Sequence, residues 1–168
     1  MADDRSAALR AAFDRSFAEP RAPDRPPTHD FLLVRVGGEP YALALAEVAS
    51  LHADVSVMPV PSPAPELLGI ASIRSMLAPI YDLRVAIHVP TTGAPRWSVM
   101  VRDATAGFAF DGFDGHARSV DRGAAIGDAG RTLVTIDGRL LPVVALRAVL
   151  AEIQGRSTIA GRGTAKEP

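Results

Sequence analysis

The 168-residue sequence predicts a mainly β protein built from two related halves. Three observations predict it. Short runs of β-forming residues recur along the chain, separated by Gly, Pro and Asp-Gly turn signals. Two of the resulting hairpins echo each other: Val34-Arg35 and Tyr41-Ala42-Leu43 match Val101-Arg102 and Phe108-Ala109-Phe110 at a common offset of 67. A second echo follows in the same order. APIYDLRV at 78–85 resembles LPVVALRA at 141–148, with Pro79 and Pro142, Leu83 and Leu146, Arg84 and Arg147 in register. Two echoes in one order imply a repeated structural unit.

Residues 3–19 read as a short helix, because Leu9, Phe13 and Phe17 recur every four positions and share a face. Asp3 and Asp4 suit the positive end of its dipole. The segment PRAPDRPP stops it, since proline disfavours helix in the residue before it, so 1–28 is a helix plus a proline-rich linker. The folded domain spans 29–154. Its first hairpin is FLLVRV, the turn GGEP around Gly38, and YALAL beginning at Tyr41. MPVPSPAPE carries prolines 59, 61, 63 and 65 and reads as a rigid extended loop. LLGIASIRSMLAPIYDLR, residues 67–84, follows as an apolar stretch broken by Arg74. HVPTTGAPR at 88–96 is the joint between halves, set at roughly 29–90 with a closing C-terminal segment and 91–145. The second hairpin is WSVMVR, DATA and GFAFDGF. DGFDGH at 111–116 reads as a turn, DRGAAIGDAGR at 121–131 as a loop, and LVTIDGRLLPVV as a hairpin around Asp137-Gly138. ALRAVLAEIQ at 145–154 begins as strand and ends as helix, and the polar, glycine-rich 155–168 is a flexible tail.

Several function classes are excluded by what the chain lacks. A net charge of −1 offers no field for nucleic acid or anionic lipid. No basic stripe accompanies the aromatics, and Phe108 and Phe110 sit two apart on one strand face, as core residues do. There is no cysteine, so thiolate and disulfide chemistry are absent. Histidines 29, 52, 88 and 116 are scattered, without the spacing of a helical zinc pair. Asp111 and Asp114 lack the alternating oxygens and distal glutamate of a calcium loop. No nucleophile elbow or phosphate loop occurs, so no catalytic residue, metal or cofactor is expected. The N-terminus lacks a signal peptide's apolar block, and no run is long enough to insert in a membrane. The expected location is the cytoplasm, and the expected class is a binding module.

The stretch around Arg74 sharpens that class. With PSPAPE before it, LLGIASIRSMLAPIYDLR resembles the central signature of the chemotaxis coupling proteins, the CheW-like family. Gly69, Arg74, Pro79, Asp82 and Leu83 fall in register with that signature. FLLVRVGGEPYALAL looks like the family's opening hairpin. AGFAFDGF is similar to a later family strand, with Gly107 and Asp111 kept, and LLPVVALRAVL resembles the closing segment. The match runs in order over about 31–153. It implies two small five-stranded β-barrels side by side, with the N- and C-terminal helices added. It also implies a non-catalytic adaptor whose partners are the cytoplasmic tip of methyl-accepting chemoreceptors and the regulatory domain of the chemotaxis histidine kinase. The residues it points to for partner binding are Arg74, Ser75, Ser72, Gly69 and Ser50, with Val34 and Val36 on the opening hairpin. Gly38, Tyr41, Pro79, Asp82, Leu83, Gly107 and Asp111 would be structural.

Three departures from the family pattern bear on Arg74. Ser75 stands where the family commonly has glycine, Ser72 where it has asparagine, and Ser50 where it has the glutamate that balances the arginine. A buried arginine without a counter-ion is costly, by several kcal/mol. Arg74 is therefore exposed, or paired with a carboxylate such as Asp82 or Asp111, or balanced by a partner protein. The departures also leave room for a divergent adaptor serving another signalling kinase or acting as an accessory array subunit. A small ligand-binding barrel or enzyme is the reading from a different class.

Overall fold

The computed structural model describes residues 28–91, 93–120, 124–126 and 131–162. The helix expected over 3–19, and the linker as far as residue 27, lie outside them. In chain order the elements are β1 (His29–Val36), β2 (Glu39–Ala44), a 3-10 turn (Leu45–Glu47), β3 (Val48–Ala53), β4 (Leu67–Ile73), β5 (Met76–Asp82) and helix α1 (Leu83–Ala86). There follow β6 (Trp97–Val101), β7 (Gly107–Phe110), β8 (Gly112–Ser119), β9 (Ala124–Ile126), β10 (Arg131–Ile136), β11 (Arg139–Val144) and helix α2 (Leu146–Arg162). DGFDGH is thus not a free-standing turn: Gly112 onward is strand, paired along β1. Helix α2 runs on to Arg162 instead of giving way to a tail after Gln154.

Two sheets form, ordered β8-β1-β2-β11-β10-β9 and β3-β6-β7-β5-β4. The internal echo is visible in their pairing. In the first, hairpin β1–β2 is joined by β11 running parallel to β2. In the second, hairpin β6–β7 is joined by β5 running parallel to β7. Each hairpin also carries an antiparallel neighbour on its other flank, β8 and β3 respectively. Five strands of the first sheet repeat the arrangement of the second, and β9 is the addition. The sheets do not divide the chain at residue 90, because β1 and β2 lie in one sheet with β8 to β11, while β3 to β7 make the other.

The sheets are not closed barrels, which corrects the expected architecture. Each curls and stops short of a closing ladder among the described residues. In the first, Ser119 Oγ on β8 donates to the Thr135 carbonyl on β10 at 2.9 Å, across strands four places apart, but no backbone ladder joins them among the described residues. In the second, the segment after β3 makes a single bridge to β4, with Met58 and Ile70 exchanging bonds of 2.8 and 2.9 Å. Prolines 59, 61, 63 and 65 come next and supply no N–H, so a ladder cannot continue.

Among the described residues, three apolar clusters hold the fold together. The largest lies between the sheets and takes Leu32, Val34 and Val36 from β1, Phe108 and Phe110 from β7, and Leu146, Leu150 and Ile153 from α2. The opposite face of the six-stranded sheet buries Phe31, Ala42, Val134 and Ile136. That of the five-stranded sheet buries Ala71, Ile73, Ala78, Ile80, Met100 and Ala109. Both faces of β1 are therefore covered, which is why FLLV is continuously apolar instead of alternating. Among the described residues no helix is long and apolar enough to cross a membrane.

Candidate docking surface around Arg74

Strands β4 and β5 pair antiparallel from Leu67–Tyr81 out to Ile73–Met76. Only Arg74 and Ser75 remain to make the turn. Both have positive φ, 49° and 66°, as a two-residue turn matched to strand twist requires. The cation inside the apolar stretch is thus the tip of a hairpin. Ile73 before it is buried, as is Ala78 on the returning strand, while Arg74 itself is exposed.

Around the tip the outward side chains are apolar. Leu77 is 71% exposed, opposite Ser72 across the hairpin, and Met76 is 61% exposed. Met58, 71% exposed, stands beside them on the segment bridged to β4. Two depressions flank Arg74. One of ≈ 710 Å³ follows the gap between β3 and β4, lined by His52, Val55, Met58, Ile70, Ser72 and Leu77. The other, ≈ 350 Å³, is lined by Ser50, Ile73, Met76, Met100, Asp103 and Thr105. Arg74 lines both. It forms no ion pair among the described residues. Ser50 shares the smaller depression with Arg74, but its hydroxyl is engaged by His52 Nε2 at 2.8 Å. Asp103, the one carboxylate in these linings, is held by Arg147 at 2.7 Å.

Asp82 and Asp111, considered as partners for Arg74, are occupied elsewhere. Both bind Arg84, which is 2% exposed and which sequence reasoning passed over. The guanidinium grips Asp82 with two bonds, Nε to Oδ1 at 2.9 Å and Nη2 to Oδ2 at 2.7 Å. Nη1 donates to Asp111 Oδ1 at 2.7 Å and to the Gly93 carbonyl at 3.1 Å. Asp82 also caps α1 through the Arg84 amide, and Asp111 Oδ2 accepts from the Gly37 amide at 2.6 Å. The hydrogen bonds that the guanidinium donates to Asp82, against the opposing effect of burial, raise the pKa of Arg84 above its ordinary value. This network fastens the β1–β2 turn, the end of β5 and the β7–β8 junction to one another. A readable signal existed: Asp-Leu-Arg at a strand end places a capping carboxylate two residues before a guanidinium.

The other expected site residues fall into three groups. Ser72, Arg74 and Ser75 are exposed on the hairpin, with Ser50 half-buried beside it. Val34 and Val36 are 0% exposed in the core between the sheets, so they offer a partner no surface. Gly69 is buried with φ of 149°, and a Cβ there would lie 2.0 Å from the Met58 carbonyl oxygen. It is where the proline segment crosses β4. Leu83 is in the main core, and a Cβ at Gly107 would meet Met100 Sδ and the Val99 carbonyl at 2.8 Å. Gly38 has φ of 86° in its turn, Tyr41 is half-buried opposite Val34, and Pro79 pairs with Ile70.

The CheW-like domain family matches at the level of its sequence model over residues 30–124. Among solved structures, the scaffolding protein TtCheW from Thermoanaerobacter tengcongensis superimposes with a TM-score of 0.62 at 18% identity, covering 73% of this chain and 92% of that one. A comparison with curated proteins finds no match.

Proposed function

The chain belongs to the CheW-like domain family, whose members are non-catalytic adaptors of chemosensory signalling, and from that premise we propose that it couples chemoreceptors to the regulatory domain of a chemotaxis histidine kinase. It would act in the cytoplasm, reaching the membrane only through its partners. The β4–β5 hairpin is the docking surface, with Arg74 at its centre and Ser75, Ser72 and Ser50 around it. The carrying observation is an exposed, unpaired guanidinium on a constrained turn, ringed by Met58, Met76 and Leu77. Large exposed apolar side chains beside an arginine are the composition of an interface centre. Since Ser50 carries no charge, the carboxylate that balances Arg74 comes from the partner.

The test is Arg74→Glu. Replacing an interface arginine by the opposite charge should weaken capture of receptor or kinase by about 30-fold or more, while the unfolding midpoint stays put. Undiminished binding to both partners in a folded variant removes Arg74 from the interface. Ser50 favours a second reading, a divergent adaptor for another signalling kinase. Identifying the kinase retained by the wild-type chain separates the two.

A further inference from the structure

Methionine is concentrated at one place in this chain. Of its four methionines, Met58, Met76 and Met100 lie among the described residues, and all three line the two depressions beside Arg74. Met58 lines the larger, Met76 and Met100 the smaller. Their exposure differs. Met58 is 71% exposed and Met76 61%, whereas Met100 is 7% exposed and packs in the apolar cluster of Ile73, Ala78 and Ile80. The two exposed residues stand on held backbone. The Met58 amide and carbonyl are both bonded to Ile70, and Met76 pairs with Ile73 to close the Arg74-Ser75 turn. Each depression therefore offers one accessible thioether beside the same guanidinium.

We propose that Met58 and Met76 are a modification site, converted to methionine sulfoxide by a peroxide-class oxidant, and that this oxidation turns off docking at the Arg74 surface. The proposal rests on that surface being the docking site. In the step, a sulfur lone pair attacks one oxygen of hydrogen peroxide. The S–O bond forms as the O–O bond breaks, the second oxygen leaves as water with both protons, and sulfur gives up two electrons. A thiol-dependent sulfoxide reductase reverses it, oxidising two thiols to a disulfide and releasing the oxygen as water. Oxidation replaces a flexible apolar side chain by a polar one. An interface that covers a sulfoxide oxygen without a donor must desolvate it at a cost. Neither exposed thioether belongs to the core clusters, so the fold tolerates the change, while Met100 is shielded by its packing.

The test uses the full-length protein. Millimolar hydrogen peroxide is applied and then removed with catalase, and untreated receptor or kinase is added. Tryptic cleavage after Arg35, Arg74, Arg84, Arg96 and Arg102 puts the three methionines on separate peptides, so mass spectrometry reads each one. Met58 and Met76 should gain one oxygen about tenfold faster than Met100. The unfolding midpoint should hold while partner capture falls about tenfold, and reductases for both sulfoxide epimers with a dithiol should restore it. The double variant Met58→Leu, Met76→Leu should capture partners as the parent does, and keep doing so after peroxide. Met100 oxidising as fast as the other two, undiminished capture by the oxidised parent, or an equal loss in the leucine variant would each overturn the proposal. Arg74→Glu separates this failure from that of the docking reading. If Arg74→Glu weakens capture and oxidation does not, the surface stands and the modification site falls; if neither weakens it, both fall.

Discussion

Arg74 and Arg84 stand ten positions apart in one apolar stretch and have opposite fates. Arg74 is at the hairpin tip, exposed and without an ion pair among the described residues. Arg84 is at the foot of the same hairpin, where two carboxylates and a carbonyl surround it. The difference is backbone geometry. A two-residue turn throws its side chains clear of the sheet, whereas a helix capped by Asp82 folds its second residue back under the strand that precedes it. An arginine in an apolar run is therefore uninformative until its backbone is known. At Arg84 the charge organises the fold, and at Arg74 it stands exposed at the hairpin tip.

Arg84→Met should break that comparison most severely. It removes the cation and leaves Asp82, 4% exposed, beside Asp111 without compensation. Unpairing a buried ion costs about 3–5 kcal/mol, readable as a large drop in the urea midpoint. A loss under about 1 kcal/mol in that titration would mean the network is incidental. Because the folded pKa of Arg84 is raised, its stabilisation is complete below the unfolded value and fades only as pH climbs through the higher folded one. Titrating across the neutral range should leave it untouched.

The next effect is at Gly69. Alanine there places a Cβ against the Met58 carbonyl and forces an L residue to hold a φ of 149°. A cost of about 1–3 kcal/mol is expected for strain of this kind, with the bridge between Met58 and Ile70 opening first. Hydrogen exchange at the Met58 and Ile70 amides checks it. Unchanged protection would place the hairpin's anchorage elsewhere.

The same contrast explains what was legible in the sequence. The hairpins at Gly37-Gly38 and Asp137-Gly138 were readable because their turns use residues that tolerate positive φ. The two echoes were readable because each sheet repeats one arrangement of strands. Arg74-Ser75 announced no two-residue hairpin turn, since neither residue favours the positive φ that both adopt, so the proposed docking surface was reached through the family pattern. Arg84 was missed because Asp111 and Gly93 reach it through the fold. Barrel closure came with the family resemblance and was over-read, since a pattern of matched residues carries no information about whether the last edge meets the first. The placement of Val34 and Val36 followed the same limit: alternation puts them on one face of β1 without saying that another sheet covers that face.

The smallest effect is the most diagnostic. Among the described residues, three two-residue hairpin turns carry positive φ at both central positions, and of these only Arg74-Ser75 lacks a glycine. Ser75 at φ of 66° stands where the family pattern has glycine, so Ser75→Gly should relieve a left-handed strain of about 1–2 kcal/mol against an entropic cost of about 0.5–1 kcal/mol, a small net stabilisation. Arg74→Asn should stabilise for a related reason, because asparagine adopts this conformation more readily. The two gains should part at the binding step. The glycine variant keeps the guanidinium and should capture partners as before, whereas the asparagine variant should be the more stable protein and the weaker binder. Strain retained where a better turn residue is available marks a position kept for function. If the asparagine variant binds as well as the parent, the tip is an ordinary turn and the docking surface lies elsewhere on the molecule.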